Sequence, residues 1–376
     1  MIYLDNAATT RLAPKALKEM TPYFEEYYGN PSSIYYFSSV CRDALDKSRR
    51  RVANAISAQP DEIYFTSGGS ESDNWSLKGI ASVLKGRHII TTSIEHHAVL
   101  NTARYLEKMG CKITYVPVDK NGMVDPDDIK KAITGDTILI SVMYANNEVG
   151  TIEPIKEIGR IARDHGIYFH TDAVQAVGHI PIDVDEDMVD LLSMSAHKFN
   201  GPKGVGVLYV RKGTDIHPLI HGGSQQRNRR AGTENVPGIV GMGCAIESAA
   251  DGMDEERKKI TSLRDEMTYK IFASVDSIRL NGHPDKRLPG IINITIDGVS
   301  ADTLLVNMDM AGIYISNGSA CTAGSPEPSH VLMAMGRSPE EAASSIRISI
   351  GRYNSTAEID KAARELIGIV SRLRSM

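Results

Sequence analysis

The chain has 376 residues and a formal net charge of −5, with 42 basic and 47 acidic side chains scattered along it. That balance excludes a nucleic-acid-binding stripe and a polybasic membrane patch, so small molecules and protein partners are the expected ligands. No run of about 18 apolar residues occurs, which argues against a membrane-spanning helix, and the length predicts two domains with a cleft between them.

The N-terminal Met1-Ile2-Tyr3-Leu4-Asp5 has no basic region ahead of an apolar stretch. No signal peptide is read there, and the expected location is cytoplasmic. The segment 1–14 ends in a loop-like run and is expected to pack back onto a second domain. From about residue 60 to 210, strand-like runs alternate with amphipathic helices, the pattern of an α/β fold with a mostly parallel sheet. Seven strands are predicted, at 62–66, 88–92, 112–116, 137–142, 168–171, 191–195 and 205–210. The helix predicted at 153–165 places Ile155, Ile158 and Ile161 on one face, with Lys156, Arg160 and Arg163 toward water. A charged helix at 255–272 marks a change of composition, followed by strands at 290–296 and 346–350. The domains are therefore read as 15–253, large, and 1–14 with 254–376, a smaller α+β unit carrying a Gly/Ser loop at about 316–329.

Chemistry-bearing residues cluster at the predicted strand ends. After the first strand, Ser67-Gly68-Gly69-Ser70 forms a tight turn into a helix. Glycines admit an anion close to the backbone, and the helix's first N–H groups attract it. A plain helix start with Ser70 as cap is the alternative. Glu95-His96-His97 follows the second strand; adjacent side chains diverge and a third ligand is lacking, so no metal site is read. Asn146-Asn147-Glu148 follows the fourth strand.

Asp172 ends the fifth strand, where open α/β sheets place their ligands, although an Asp there also serves as a helix cap. Gln175 follows three residues later. Lys198 closes the next strand within Ser195-Ala196-His197-Lys198, ahead of a glycine-rich turn. A lysine beside a carboxylate suits pyridoxal phosphate (PLP), which binds lysine as a Schiff base and needs an acid at its ring nitrogen to act as an electron sink. Of the four cysteines, Cys41, Cys111, Cys244 and Cys321, only Cys321 lies in the Gly/Ser loop. No CxxC pair suggests zinc or a disulfide scaffold.

The chain resembles the PLP-dependent cysteine desulfurases of the NifS/IscS type, fold-type I enzymes of the class V aminotransferase group. The resemblance rests on Tyr3 through Thr10, Gly29-Asn30-Pro31-Ser32-Ser33, Ser72-Asp73-Asn74, Glu95-His96, Asn146 through Gly150, His170 through Gln175, Ser195 through Gly204, Arg230 through Thr233, Ser316 through Thr322 and Arg347 through Arg352. It implies Lys198 as the Schiff-base lysine, Asp172 at the pyridine nitrogen, Gln175 at the ring hydroxyl and His96, not His97, stacked on the ring. It assigns Gly69, Ser70, Ser195 and His197 to the phosphate, with Thr233 reaching the phosphate of a neighbouring subunit, hence a homodimer. Asn147 would contact cofactor and substrate, and Arg347 would hold the carboxylate of L-cysteine.

Cys321 matches the cysteine that takes sulfur as a persulfide, with Lys198 and His96 as proton carriers. L-Alanine would be released and the sulfur passed to an acceptor protein such as an iron–sulfur scaffold. Cys41, Cys111 and Cys244 are read as structural. Tyr35, Ser38 and Ser70 depart from residues common in the family, and the chain stops at Met376 short of the tail that scaffold-binding relatives carry, which makes a particular scaffold a weaker expectation than the reaction. Rival activities are another fold-type I enzyme, such as an aminotransferase or a selenocysteine lyase. A sulfur-carrier docking protein that retains PLP only for stability is the non-enzyme alternative.

Overall fold

This computed structural model describes residues 1–317 and 328–375. Among the described residues, twelve strands form three sheets: β1 (Ile2–Tyr3), β2 (Ile63–Thr66), β3 (His88–Thr92), β4 (Lys112–Val116), β5 (Thr137–Ser141), β6 (Tyr168–Asp172), β7 (Leu191–Ser195), β8 (Gly206–Val210), β9 (Ile278–Asn281), β10 (Ile291–Ile296), β11 (Ile313–Tyr314) and β12 (Ser345–Ser349). The seven predicted strands form one sheet in the order β2-β8-β7-β6-β5-β3-β4. The pairs from β4 through β7 are parallel, whereas β8 runs antiparallel to both β2 and β7. Strands β3, β5, β6 and β7 therefore end on the same edge, the crevice side of such a sheet.

Nearly every residue of β2, β3, β5, β6 and β7 is buried, as expected where helices cover both faces of a sheet. The helix Ile155–Asp164 packs by Ile155, Ile158 and Ala162, with Ile161 only partly covered. Each fully buried isoleucine contributes about 1.5–3 kcal/mol. The close approach needs Gly159, where a Cβ would meet the Asp187 carbonyl oxygen at 2.1 Å.

The large apolar cluster on one side of the sheet includes Phe65, Phe169 and Phe199 together with the helix Val236–Asp251. A smaller cluster on the other side centres on Trp75 and Leu77. A further cluster joins the three-stranded antiparallel sheet β12-β10-β9 to the helices Met253–Ser274 and Thr356–Arg374. The N-terminal segment belongs to both regions: Ile2 and Leu4 pack in the last cluster, Ala7 and Ala13 in the first. It crosses from one to the other over the carboxyl edge of the large sheet, and this crossing builds one wall of the cleft. No helix among the described residues is long and apolar enough to cross a membrane.

Candidate active site

A cleft with a cavity volume of about 200 Å³ opens at that edge, the crevice position where open α/β sheets bind their ligands. Its lining includes Gly69, Ser70, His96, Asn147, Asp172, Gln175, Ser195, His197, Lys198 and Arg347, together with Ala7, Ala8 and Asp73.

The anion cradle follows β2. The helix Gly69–Val83 is capped by Gly68, whose φ of 154° suits glycine, so Ser70 lies inside the first turn and is not the cap. A Cβ on Gly69 would come within 2.6 Å of Val174 Cγ2; glycine is what lets the turn close against the loop after β6. Ser70 is exposed toward the cleft and Ser195, at the end of β7, is buried beside it. Glu71 accepts from the Ser67 N–H at 2.7 Å and pairs with Arg230 at 2.8 Å. Burial pushes its carboxyl up, but these partners outweigh it and hold it below its ordinary value. Arg230 thereby ties the 230–233 loop to the cradle, while Thr233 is exposed and does not line the cleft of its own chain.

Lys198 sits in a single 3-10 turn directly after β7. Its Nζ donates to the carbonyls of Ala7 at 2.5 Å and Ala8 at 3.0 Å. Thr10 donates to the His197 carbonyl from both its N–H and its hydroxyl, at 2.9 and 2.8 Å, so the N-terminal segment clamps the lysine turn. The His197 ring lies 3.1 Å from the Thr9 hydroxyl, and burial with the nearby charges of Lys198 and Lys203 pushes its pKa down to about 4. It is neutral at pH 7.

Asp172 ends β6 and accepts from the Val174 N–H at 2.9 Å. Burial pushes its carboxyl up against the opposing pull of His96 and Lys198. Gln175 donates to the Ala7 carbonyl at 2.9 Å. His96 caps the helix His97–Lys108, its Nδ1 accepting from the Ala98 N–H at 3.1 Å. His97 faces elsewhere: its ring centroid lies 4.7 Å from that of His330. Arg347 in β12 is 2% exposed and reaches the cleft from the far side. Its guanidinium donates to the Asn147 carbonyl at 3.0 Å and to Asp5 at 2.8 Å, leaving Nε without a partner among the described residues. Cys321 lies outside the described residues. The described cysteines, Cys41, Cys111 and Cys244, are all buried.

The arrangement sets a lysine amine, a buried carboxylate, a helix N-terminus and a guanidinium around one cleft. A phosphate at the Gly69 turn, a ring nitrogen at Asp172 and an aldehyde carbon at Lys198 fit that donor set. A family model described as aminotransferase class-V matches residues 2–362. The chain belongs to the class-V aminotransferase family. Members of this family use PLP. This class-V chain is 53% identical to a cysteine desulfurase IscS of Dictyoglomus turgidum, over all of this chain and 96% of that protein. It is 52% identical to a cysteine desulfurase IscS of Methanosarcina thermophila, over all of this chain and 93% of that one. A solved NifS-like protein superposes with a TM-score of 0.93 at 40% identity, covering 99% of each chain. A solved chain described as SspA in complex with cysteine gives a TM-score of 0.84 at 37% identity, over 94% of this chain and all of that one.

Three features escaped the sequence. The Ala7 and Ala8 carbonyls act through the backbone, which side-chain patterns do not report. Asp5 meets Arg347 only through the fold. Asp73 is buried against the cleft one turn into its helix, a position that its motif did not distinguish from a surface acid.

The cleft also rests on buried acids. Glu95 accepts from the Thr92 hydroxyl at 2.7 Å and the Met143 N–H at 2.9 Å, yet burial pushes its pKa from an ordinary 4.5 up to about 8. The unfolded chain releases that proton near 4.5, whereas the folded chain keeps it to about 8. Folding therefore takes up a proton across this window, and stability falls as pH rises through it. Thermal melts of Glu95→Gln are expected to show a flatter decline between pH 5 and 8 than wild type. Some slope remains because Glu148, pushed up to about 7, and Glu153 are raised by burial as well. An unchanged slope would show that Glu95 is ionised in the fold.

Proposed function

We propose that this chain is a cysteine desulfurase: it binds L-cysteine, releases L-alanine and passes the sulfur to Cys321 as a persulfide for a protein acceptor. The observation that carries the proposal is the placement of Lys198, Asp172 and Arg347 around one cleft, in a chain 53% identical over its whole length to a cysteine desulfurase. PLP, when bound, supplies an electron sink for the electrons of the substrate's Cα–H bond.

The protein's own residues do the rest. Gly69, Ser70, Ser195 and His197 hold the phosphate, and the neutral His197 acts as a hydrogen-bonding group without adding charge. Gln175 and His96 would hold the cofactor's ring. Lys198 would anchor the cofactor, and its amine is placed to move the substrate's Cα proton. Its two carbonyl partners, Ala7 and Ala8, aim the amine. Arg347 receives the substrate carboxylate beside Asn147; its guanidinium is already oriented by Asp5, so little ordering remains on binding. The thiolate of Cys321 attacks the substrate sulfur: an S–S bond forms, the Cβ–S bond breaks, and the bond's electrons stay with the carbon, which takes up a proton to become the alanine methyl.

Thr233 is exposed beyond the cleft of its own chain. A homodimer in which it completes the phosphate site of the second copy accounts for that position. The sulfur acceptor is a protein such as an iron–sulfur scaffold, and the location is cytoplasmic.

The test is product analysis. Purified protein given L-cysteine is expected to form alanine, with added sulfur mass on the Cys321 peptide. Alanine from L-selenocysteine alone would favour a selenocysteine lyase, amino-group transfer to a keto acid would favour an aminotransferase, and bound PLP with no alanine would favour a docking protein. Any of these would displace the proposal.

A further inference from the structure

Asp73 lines the cleft but has no part in the steps above. It lies one turn into the helix Gly69–Val83 and is 1% exposed. One of its carboxyl oxygens, one of Asp172 and a ring nitrogen of His96 all lie within 4.8 Å of one another. Asp73 Oδ1 has no hydrogen-bond partner among the described residues and stands 3.6 Å from His170 Nε2. His170 is no counter-ion: its ring nitrogens sit 2.8 Å from the Ser141 hydroxyl and 3.0 Å from that of Ser193, and burial pushes its pKa down to about 3.

Two carboxyl groups this close in a buried site do not both ionise. The surroundings decide which keeps the proton. Asp172 feels the favourable charges of His96 and Lys198. Burial first, then the charges of Asp172 and Glu95, raise the Asp73 carboxyl well above the usual range against the opposing pull of the Ser193 hydroxyl. Burial raises both carboxyls, and the cations beside Asp172 leave the proton favoured on Asp73.

We propose that Asp73 is a positioning residue for the cofactor: a neutral carboxylic acid whose O–H orients Asp172 and leaves a single negative charge facing the cofactor's ring nitrogen. This rests on the PLP placement given above. A second anion there would leave net negative charge at the ring edge, and an apolar residue would leave Asp172 unanchored on that side.

The two roles separate in Asp73→Asn and Asp73→Ala. Each protein, stripped of PLP and retitrated with it, is read by PLP affinity, by the absorption band of the bound cofactor and by the 15N shift of ring-labelled PLP. Asp73→Asn keeps a neutral donor of the same shape and is expected to match wild type within about twofold in affinity, with the ring nitrogen still protonated. Asp73→Ala is expected to bind PLP about tenfold more weakly and to move the 15N shift toward the unprotonated ring. Asp73→Leu, apolar and close in shape, replaces it if the alanine variant does not fold. An asparagine variant as impaired as the alanine one, or an alanine variant equal to wild type, would overturn the inference. A wild-type protein that takes up no PLP would instead overturn the cofactor placement itself.

Discussion

Lys198→Ala is expected to lose the borohydride-reducible attachment of PLP and to form alanine at least about 10³-fold more slowly, the scale of losing a positioned base together with the covalent anchor. The substitution removes an amine whose position is over-determined. Its Nζ is held by two carbonyls of the N-terminal segment, and its own carbonyl lies 3.0 Å from the His179 ring. Asp172, Gln175 and the Gly69 turn do not depend on the lysine side chain, so PLP should still bind non-covalently, with a changed absorption band. Mass spectrometry after borohydride treatment gives the decisive reading: wild type carries the adduct on the Lys198 peptide and the variant on none. An adduct elsewhere in wild type would remove Lys198 from the site.

Lys198 and Asp172 were legible because each closes an apolar strand, and strands in parallel register present their ends to the same edge. All seven sheet strands were legible for the related reason that four- to six-residue apolar runs between turns have few other uses. Direction was not. β8 runs antiparallel to its neighbours, and alternation of side chains carries no sign of orientation. The N-terminal segment was expected on the second domain; Ile2 and Leu4 pack in its apolar cluster and Asp5 pairs with Arg347 of β12, whereas Ala7 and Ala13 pack on the large-sheet side. Small residues at 7 and 8 gave no hint of it, because they matter here through their carbonyls. Asp73 was illegible for a different reason. Its helix shows an ordinary polar start, and only the sheet edge beneath it turns one carboxyl inward, where the low dielectric makes its protonation matter. The pairing of Asp5 with Arg347 joins residues 342 positions apart, a contact no local pattern encodes.

Cys321→Ser is expected to abolish persulfide on the protein and to cut alanine formation from L-cysteine by at least about 10²-fold, while PLP content and its absorption band stay as in wild type. Cys41, Cys111 and Cys244 are buried, with burial pushing the Cys41 thiol up and burial together with Glu19 pushing Cys244 to about 11. A buried thiol with a raised pKa is neither accessible nor ionised at neutral pH. Among the described residues, Ser316 pairs through its backbone with Arg347, and the His330 ring lies 3.0 Å from the Glu95 carbonyl. A serine hydroxyl at the same point is too weak a nucleophile to accept sulfur. Equal alanine and sulfide release by the serine variant would mean that sulfur leaves the substrate without a protein thiol, the outcome that favours lyase chemistry in this cleft.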